Sequence, residues 1–285
     1  KITGKNHHMS EELKLPDIDL DGRVVIMTGA SRGLGRSMVV ALAKTGARVV
    51  LAAPDIDALN GVAEEIKSAV GKGRALVVET DITDLKSCEN CLAQTLDGFG
   101  GLDVLINNAR RLHRGPGLPA SGNSFLFWET PPDIYKQTVE VNVTGTFFMA
   151  RTCAPYLIDQ GFGKIINLTT SVHNFYGTKN SPYGVTKAAV DAETWIWAKD
   201  LANTGVTCNA LLPGGACDSD PEREVKPGRN YLPVDVMNPV LVWLCSKNSD
   251  AVTGARYNGS LWDDALSPDD AAGACVEPAS FRGME

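Results

Sequence analysis

Residues 24–35 read Val24-Val25-Ile26-Met27-Thr28-Gly29-Ala30-Ser31-Arg32-Gly33-Leu34-Gly35, and this stretch decides the fold. Its first four residues are apolar and mostly β-branched, which predicts a short buried strand. Its three glycines form a GxxxGxG pattern rather than the GxGxxG dinucleotide fingerprint. Glycine lets the backbone turn tightly and approach a pyrophosphate, and the N-terminus of the helix predicted from Gly33 to Lys44 attracts its charge. A plain strand-to-helix turn seldom needs three glycines, so the stretch predicts a dinucleotide-binding loop.

Outward from this stretch, apolar strands alternate with helical segments. Further strands are predicted at residues 48–51, 75–78, 102–106, 164–168, 206–212 and 255–258, and helices at 55–70, 84–96, 131–158, 183–201 and 234–245. Continuous apolar strands that alternate with helices indicate a parallel sheet covered on both faces. We therefore predict an α/β fold, a single doubly wound Rossmann-type domain with a seven-stranded, mostly parallel sheet and helices on both faces. The domain is predicted to span residues 10–260. Residues 1–9 are interpreted as a disordered expression-tag remnant, and residues 261–285 as an acidic C-terminal extension.

The charge and cysteine content exclude several classes of protein. The formal net charge is -7, and the segment from Asp263 to Glu285 holds six acids against one base, so the remainder is near neutral. Neither nucleic acid nor a membrane is expected as a partner. We find no apolar run long enough to span a bilayer and no signal peptide. The seven cysteines, an odd number without metal-ligand spacing, favour a reducing cytoplasm over a disulfide framework, and no metal site is predicted.

Polar or glycine-rich residues follow the carboxyl ends of five predicted strands. Besides the glycine loop they are Asp81, Asn107-Asn108-Ala109, Thr169-Thr170-Ser171 and Pro213-Gly214. Doubly wound sheets bind their ligands at that edge. Five such strand ends at one rim indicate a ligand site more strongly than any one motif does.

Tyr183 and Lys187 suggest the chemistry of that site. They lie four residues apart on one face of a predicted helix, so their side chains can meet. An ammonium about 4 Å from a phenol, at an effective dielectric of about 20, favours the phenolate by roughly 4 kcal/mol before desolvation is subtracted. Such a phenol can exchange a proton with an alcohol or carbonyl oxygen near neutral pH. This spacing is also common by chance, and a solvated surface pair is the alternative.

The end of the second strand bears on the choice between NAD and NADP. NAD sites use an acid there to hold the ribose hydroxyls. This chain has Ala52-Ala53-Pro54 instead, and its first acid, Asp55, comes late. Arg32, in the glycine loop, can meet a 2′-phosphate, so we predict that NADP(H) is preferred. Binding of NAD(H), with Asp55 on the ribose, stays open.

Together these residues resemble the short-chain dehydrogenase/reductase family, from Leu20 to about Gly259. The matching motifs are the TGxxxGxG loop, Asp81, Asn107-Asn108-Ala109, Asn142, Tyr183 with Lys187, and Pro213-Gly214. The resemblance implies that Tyr183 is the acid/base, that Lys187 activates it and holds the nicotinamide ribose, and that Asn142 supports a water-linked proton path. The cofactor-binding residues that it implies are Gly29, Ser31, Arg32, Gly33, Leu34, Gly35, Asp81, Ile82, Asn107, Asn108, Ala109, Tyr183, Lys187, Pro213, Gly214 and Ala216.

The chain departs from the family pattern in three places. The family's substrate-binding serine stands thirteen residues before the tyrosine and three after the asparagine of the fifth strand, and both counts lead to Thr170, beside Ser171. A threonine hydroxyl donates the same hydrogen bond, so either residue can bind the substrate oxygen. Arg110 replaces the glycine that usually follows Asn-Asn-Ala. The threonine usual shortly after Pro213-Gly214 is absent.

Two long loops are predicted to shape the substrate side. Residues 110–129 hold Arg110 and the aromatic run from Phe125 to Trp128, and we interpret them as a pocket wall with a cation for an acidic or phosphorylated substrate. A solvated basic loop whose aromatic side chains pack on the next helix is the alternative. Residues 218–231 are interpreted as a flexible lid.

The sequence thus predicts an NADPH-dependent oxidoreductase that interconverts a small-molecule carbonyl and a secondary alcohol by hydride transfer. The predicted catalytic residues are Tyr183, Lys187, Thr170, Ser171 and Asn142. Two alternatives stay open: an NADP(H)-binding sensor or scaffold without turnover, and a nucleotide-retaining epimerase or dehydratase. The family resemblance also implies a homotetramer or homodimer.

Overall fold

The computed structural model describes residues 13–112, 125–219 and 230–278. Within these ranges the strands are β1 (Val24–Thr28), β2 (Arg48–Ala53), β3 (Ala75–Glu79), β4 (Val104–Asn107), β5 (Gly163–Leu168), β6 (Val206–Leu212), β7 (Arg256–Asn258) and β8 (Val276–Glu277). The helices are α1 (Gly33–Lys44), α2 (Ile56–Val70), α3 (Leu85–Phe99), α4 (Pro132–Val139), α5 (Thr146–Asp159), α6 (Tyr183–Asp200), α7 (Asn238–Cys245) and α8 (Pro268–Ala274). Residues 1–9, which we interpreted as a tag remnant, lie outside the described residues.

The sheet has the strand order β3-β2-β1-β4-β5-β6-β7-β8. All neighbouring strands are parallel except β7 and β8, which pair in the antiparallel direction. The chain runs outward from β1 to β3 and then returns to β4, which pairs with β1 on its other side. Adjacent connections therefore diverge at β1 and β4, and a crevice opens at the carboxyl ends of these strands.

Apolar clusters lie on both faces of the sheet and alternate along each strand. Val25 and Met27 belong to the cluster that includes Leu42 of α1 and Leu241 of α7. Ile26 belongs to the opposite cluster, with residues of α3, α5 and α6. Because both faces are covered, the strands are apolar throughout, as the sequence pattern predicted. The predicted doubly wound α/β fold is confirmed.

The predicted number of strands was one too low. The eighth strand, β8, lies in the segment that we interpreted as an acidic extension. It is only two residues long, so it gives no periodicity that the sequence could show. Before it, α8 packs on the domain: Ala271, Ala272 and Cys275 are buried, and Trp243 donates a hydrogen bond to Asp269 at 2.7 Å.

The helix predicted at residues 131–158 is divided in the structure. A six-residue π-helical segment, Glu140–Gly145, joins α4 to α5. The segment holds Asn142, which is fully buried. Short π-helical segments often mark functional positions because they re-aim the side chains that they carry. None of the helices in the described ranges combines the length and hydrophobicity that a bilayer crossing requires.

Candidate cofactor and active site

A cavity of about 610 Å³ opens at the carboxyl ends of β1 to β4. Its volume is typical of small-molecule sites, which hold roughly 300–1,000 Å³. Ten predicted cofactor-binding residues line it: Gly29, Ser31, Arg32, Gly33, Leu34, Gly35, Asp81, Ile82, Asn108 and Ala109. The other lining residues are Arg36, Ala52, Ala53, Pro54, Thr80, Arg110, Arg111, Leu112, Val141 and Ser219.

Close backbone contacts explain two of the loop glycines. A Cβ atom at Gly35 would lie 2.1 Å from the carbonyl oxygen of Gly29. One at Gly29 would lie 2.8 Å from the Cα atom of Ala109, and Gly29 has φ +67 besides. Only glycine fits both positions without displacing backbone. The loop therefore turns tightly between β1, α1 and the end of β4.

Helix α1 begins without a side-chain cap. Arg32 holds its N-cap position, no side chain accepts a hydrogen bond there, and its first turn contains no acid. Helices α2 and α3, in contrast, are capped by Asp55 and Asp84. Uncapped N–H groups and the helix dipole favour an anion. The glycine loop and α1 therefore fit the pyrophosphate of a dinucleotide.

Of three charged residues considered for the cofactor, Arg32 and Asp81 line the cavity and Asp55 does not. Arg32 lines the cavity, and within the described ranges it forms no ion pair. Asp55 does not line the cavity, and its carboxylate accepts a hydrogen bond from the backbone N–H of Ala58 at 3.0 Å. Asp81 lines the cavity and accepts hydrogen bonds from the backbone N–H and the hydroxyl of Thr83 at 2.9 and 2.7 Å.

The two asparagines at the end of β4 have different surroundings. The amide of Asn108 donates to the carbonyl oxygens of Thr28 and Gly29 at 2.9 and 3.0 Å, which ties β4 to the glycine loop. Asn107 does not line the cavity. Its amide donates to Asn167 on β5 at 2.9 Å, and it is buried between the two strands.

Lys187 is 2 % exposed. Its Nζ donates a hydrogen bond to the carbonyl oxygen of Leu168, the last residue of β5, at 2.6 Å. Burial, and secondarily the Arg110 guanidinium, lower the pKa of Lys187 to about 7. Burial thus disfavours the charged form of Lys187, an effect that the sequence argument left out. Tyr183, one helical turn earlier, is half-buried at the first position of α6.

Gly184 brings the start of α6 close to the segment after β5. A Cβ atom there would lie 2.5 Å from the carbonyl oxygen of Asn174 and 2.9 Å from that of Phe175. A residue with a side chain at position 184 would therefore clash with these two carbonyl oxygens. The contact places the beginning of α6 against the same turn that carries Thr170 and Ser171.

The two candidate hydroxyls share one donor that the sequence analysis missed. The amide of Asn174 donates to Thr170 Oγ1 at 2.7 Å and to Ser171 Oγ at 3.3 Å. Thr170 is buried and Ser171 is half-buried. The guanidinium of Arg256 donates to the carbonyl oxygen of Thr170. Thr170 is therefore held through its side chain and its main chain.

Asn142 joins the loop after β4 to α6. Its Oδ1 accepts from the backbone N–H of Arg111 at 2.6 Å, and its Nδ2 donates to the carbonyl oxygen of Arg111 at 3.2 Å. The same amide lies 3.0 Å from Thr186 Oγ1. Thr186 directly precedes Lys187, so this one side chain connects the Arg110–Arg111 backbone with the helix of the predicted catalytic pair.

Of the described residues after β6, the predicted cofactor-binding ones do not line the cavity. Pro213, Gly214 and Ala216 do not line it. Ser219 does, and a Cβ atom at Gly33 would lie 2.8 Å from its carbonyl oxygen. Most of the predicted lid, residues 220–229, and residues 113–124 of the predicted pocket wall lie outside the described residues. Phe127 and Trp128 are described, and they are 73 % and 66 % exposed.

Sequence reasoning could have found some of the additional residues. Ala52, Ala53 and Pro54 end β2, where the strand-end rule already points. Asn174 and Arg256 gave no signal, because their contacts with Thr170 depend on how a turn and a distant strand pack. Among the described residues no group of three or more histidine, cysteine or acidic side chains could hold a metal ion.

The fold and the cavity define a dinucleotide-binding protein of the doubly wound α/β class. Comparison with known proteins agrees: a family description of short chain dehydrogenases matches residues 23–229. An L-rhamnose 1-dehydrogenase (NAD(P)(+)) of Azotobacter vinelandii is 36% identical over 252 residues, 82% of this chain and 93% of that protein. A 2,5-dichloro-2,5-cyclohexadiene-1,4-diol dehydrogenase of Sphingobium indicum is 30% identical over 246 residues, with the same two coverages.

A solved structure resembles most of this chain. The 3-ketoacyl-(acyl-carrier-protein) reductase of Brucella melitensis, complexed with NADH, superposes with a TM-score of 0.71 at 28% identity. The match covers 83% of this chain and 96% of that one. The chain belongs to the short-chain dehydrogenase/reductase family and is an NAD(P)-dependent oxidoreductase that acts on CH-OH or C=O groups. The predicted family and enzyme class are confirmed.

Proposed function

We propose that the protein interconverts a small-molecule carbonyl and a secondary alcohol, with NADPH as the preferred cofactor and Tyr183 as the acid/base. One observation carries this proposal. Buried Lys187 is fixed to the end of β5 by its 2.6 Å hydrogen bond to the carbonyl oxygen of Leu168, and it lies one helical turn from Tyr183. The cation is therefore held at the carboxyl end of β5, on the same helix as the phenol, and its bonding partner Leu168 lies two residues before Thr170.

Each group has a distinct part in the chemistry. The nicotinamide ring, when bound, supplies or accepts the hydride. The Tyr183 hydroxyl gives its proton to the carbonyl oxygen in reduction and takes it back in oxidation. The Lys187 ammonium favours the phenolate form that this exchange requires. Asn142 holds Thr186, beside Lys187, and so keeps α6 in register with the loop after β4.

Thr170, rather than Ser171, is the proposed donor to the substrate oxygen. Because Thr170 Oγ1 accepts a 2.7 Å hydrogen bond from Asn174, its own proton is available for another acceptor. The corresponding distance to Ser171 is 3.3 Å, which makes a weaker bond. The substrate oxygen would thus receive hydrogen bonds from Thr170 and Tyr183.

The proposed preference for NADPH rests on two residues at the adenine end. Arg32 lines the cavity without an ion-pair partner in the described ranges, as a 2′-phosphate would require. Asp55 serves as the N-cap of α2 instead of facing the cavity, so no acid from the end of β2 is available for the ribose hydroxyls. Substituting Arg32 by Gln should weaken NADPH binding and leave NADH binding unchanged.

Assembly as a homodimer or homotetramer is proposed from the exposed apolar side chains of α5 and α6. Phe147 and Ile158 of α5 are 41% and 42% exposed, and Val185 and Ile196 of α6 are 49% and 55% exposed. Exposed apolar surface on two helices suits a second copy of the chain.

All seven cysteines are free and buried, which supports the proposed cytoplasmic location.

The decisive experiment measures NADPH oxidation by purified protein against a panel of ketones, aldehydes and oxo acids, with NADH in parallel. Tyr183→Phe should abolish turnover while the dissociation constant for NADPH stays within about twofold, because only the proton-exchanging oxygen is removed. Retained turnover in that variant would exclude Tyr183 as the acid/base. Tight NADPH binding without turnover on any panel member would favour a binding protein.

A further inference from the structure

The backbone of Arg110 is fixed on both sides. The N–H of the preceding residue, Ala109, donates to Thr28 Oγ1 at 3.0 Å. The following residue, Arg111, is held by the side chain of Asn142 through its N–H at 2.6 Å and its carbonyl oxygen at 3.2 Å. The main chain at Arg110 is thus held in place between β1 and the π-helical segment. A residue at this position does not need glycine's flexibility, so its side chain is free to serve another purpose.

The side chain of Arg110 lines the cavity and carries an uncompensated charge. It is exposed, and no described acid forms an ion pair with it. Among the described residues four arginines line the cavity, and of these only Arg36 forms an ion pair, with Glu65 at 2.7 Å. Asp81 is the one acid among the lining residues that the structure describes. A site with this excess of positive charge attracts anions.

The main chain beside Arg110 is tied to α6, because Asn142 bonds both to Arg111 and to Thr186, the residue before Lys187. The Arg110 guanidinium is near enough to Lys187 to contribute to the lowered pKa of that side chain, second to burial. The glycine loop and the start of α1 fit the pyrophosphate, and Arg32 suits the 2′-phosphate. The phosphates of a dinucleotide therefore have other partners, which leaves the Arg110 guanidinium for another anionic group.

We propose that Arg110 binds an anionic group, a carboxylate or a phosphate, on the substrate. This proposal rests on the carbonyl–alcohol chemistry described above. A guanidinium presents parallel N–H groups that match both anions in a two-pronged contact. The substrate class is thus an oxo acid or a phosphorylated carbonyl compound and the corresponding alcohol.

The test compares each oxo acid with its own methyl ester, since the two differ by one charge at nearly the same shape. Wild-type protein should show a kcat/KM about tenfold to a hundredfold higher for the acid, as expected for a charge-assisted contact. Arg110→Gln should bring this acid-to-ester ratio close to one, mainly by raising the KM for the acid. Arg110→Lys should retain part of the preference for the acid. Lys86→Gln, which removes an exposed charge on α3, should behave like wild-type.

Two further readouts separate substrate binding from other roles. The dissociation constant for NADPH should change by less than twofold in Arg110→Gln. Because the guanidinium is one cause of the lowered pKa of Lys187, the variant should move the pH limb of kcat/KM that reports this lysine to higher pH. Weakened NADPH binding with an unchanged acid-to-ester ratio would assign Arg110 to the cofactor and overturn the proposal.

The proposal and the underlying activity can fail separately. If neutral ketones are reduced as well as acids by wild-type protein, the enzyme chemistry stands and the role of Arg110 is refuted. If no compound is turned over, binding of acetoacetate and its methyl ester to the protein–NADP⁺ complex is measured by calorimetry. Tighter binding of the acid that is lost in Arg110→Gln supports the proposal, and equal binding of both compounds overturns it.

Discussion

At the scale of single residues, Asn174 decides which way the Thr170 hydroxyl can donate. Its amide occupies the acceptor side of Thr170 Oγ1 at 2.7 Å. It can do so because its own segment is held in turn: Asn180 donates a side-chain hydrogen bond to the carbonyl oxygen of Asn174. A residue without catalytic chemistry of its own thus orients the hydroxyl proposed to bind the substrate.

Asn174→Asp tests this orientation with almost no change of shape. A carboxylate would accept the proton of Thr170 rather than donate to its oxygen, so the hydroxyl would point away from the substrate. We expect kcat/KM to fall about fivefold to tenfold, in keeping with one hydrogen bond worth about 1 kcal/mol. Steady-state kinetics, the melting temperature and the NADPH dissociation constant are measured together. A fall in activity explained by an equal loss of stability would contradict the positioning role.

At the scale of elements, the glycine loop brings α1 against the end of β4. The contact is between backbone atoms: Gly35 faces the carbonyl oxygen of Gly29, and Gly29 faces Ala109. The Asn108 amide bonds to the same stretch. The uncapped start of α1 is therefore set by steric fit at two glycines rather than by a side-chain cap.

Gly35→Ala should disturb this arrangement. Its Cβ atom would lie 2.1 Å from the Gly29 oxygen and 2.7 Å from Asn108 Nδ2, so the backbone must move. We expect NADPH affinity to fall by at least tenfold and the melting temperature to drop. Calorimetric titration and thermal unfolding measure both quantities.

Gly61→Ala is the matched control for that substitution. Gly61 lies within α2, and a Cβ atom there would meet nothing within 4 Å. Alanine should stabilise the protein by about 0.5–1 kcal/mol, since it restricts the unfolded chain and favours the helix. If both variants bind NADPH like wild-type, steric fit at Gly35 does not shape the site.

At the scale of the whole molecule, Arg256 connects the C-terminal segment to the active site. It is 1 % exposed, and it forms an ion pair with Asp191 on α6, which is equally buried. It also bonds to Glu277 on β8 at 3.1 Å and to the carbonyl oxygen of Thr170. Three elements distant in sequence are thus held by one guanidinium.

Asp191→Ala should leave the Arg256 charge buried with less compensation. Removal of one partner of a buried ion pair typically costs about 3–5 kcal/mol of the free energy of unfolding. The double variant Asp191→Leu with Arg256→Met should recover most of that loss, because neither member of the fully buried pair is then charged. Denaturant unfolding of all three proteins measures the effect. A single variant as stable as wild-type would show that the pair does not hold this end of the sheet.

Much of the site followed from sequence because strand ends in a parallel sheet share one edge. The glycine loop, Asp81 and Asn108 were each recognisable by position after a strand, and all of them line the cavity. Asn107 carries the same motif but bonds to Asn167 between β4 and β5. Side chains of neighbouring residues along a strand point in opposite directions. Of the two asparagines in the motif, only Asn108 can therefore line the cavity.

The sequence by itself determined the order of strands and helices, the dinucleotide loop and the helical spacing of Tyr183 and Lys187, because these depend on local periodicity and on glycine's steric freedom. Only the tertiary structure decided that Asp55 caps a helix, that Asn174 and Arg256 hold Thr170, and that burial lowers the pKa of Lys187 to about 7. Hydrogen-bond partners and desolvation depend on residues far apart in the chain, which are brought together only when the sheet and its covering helices pack.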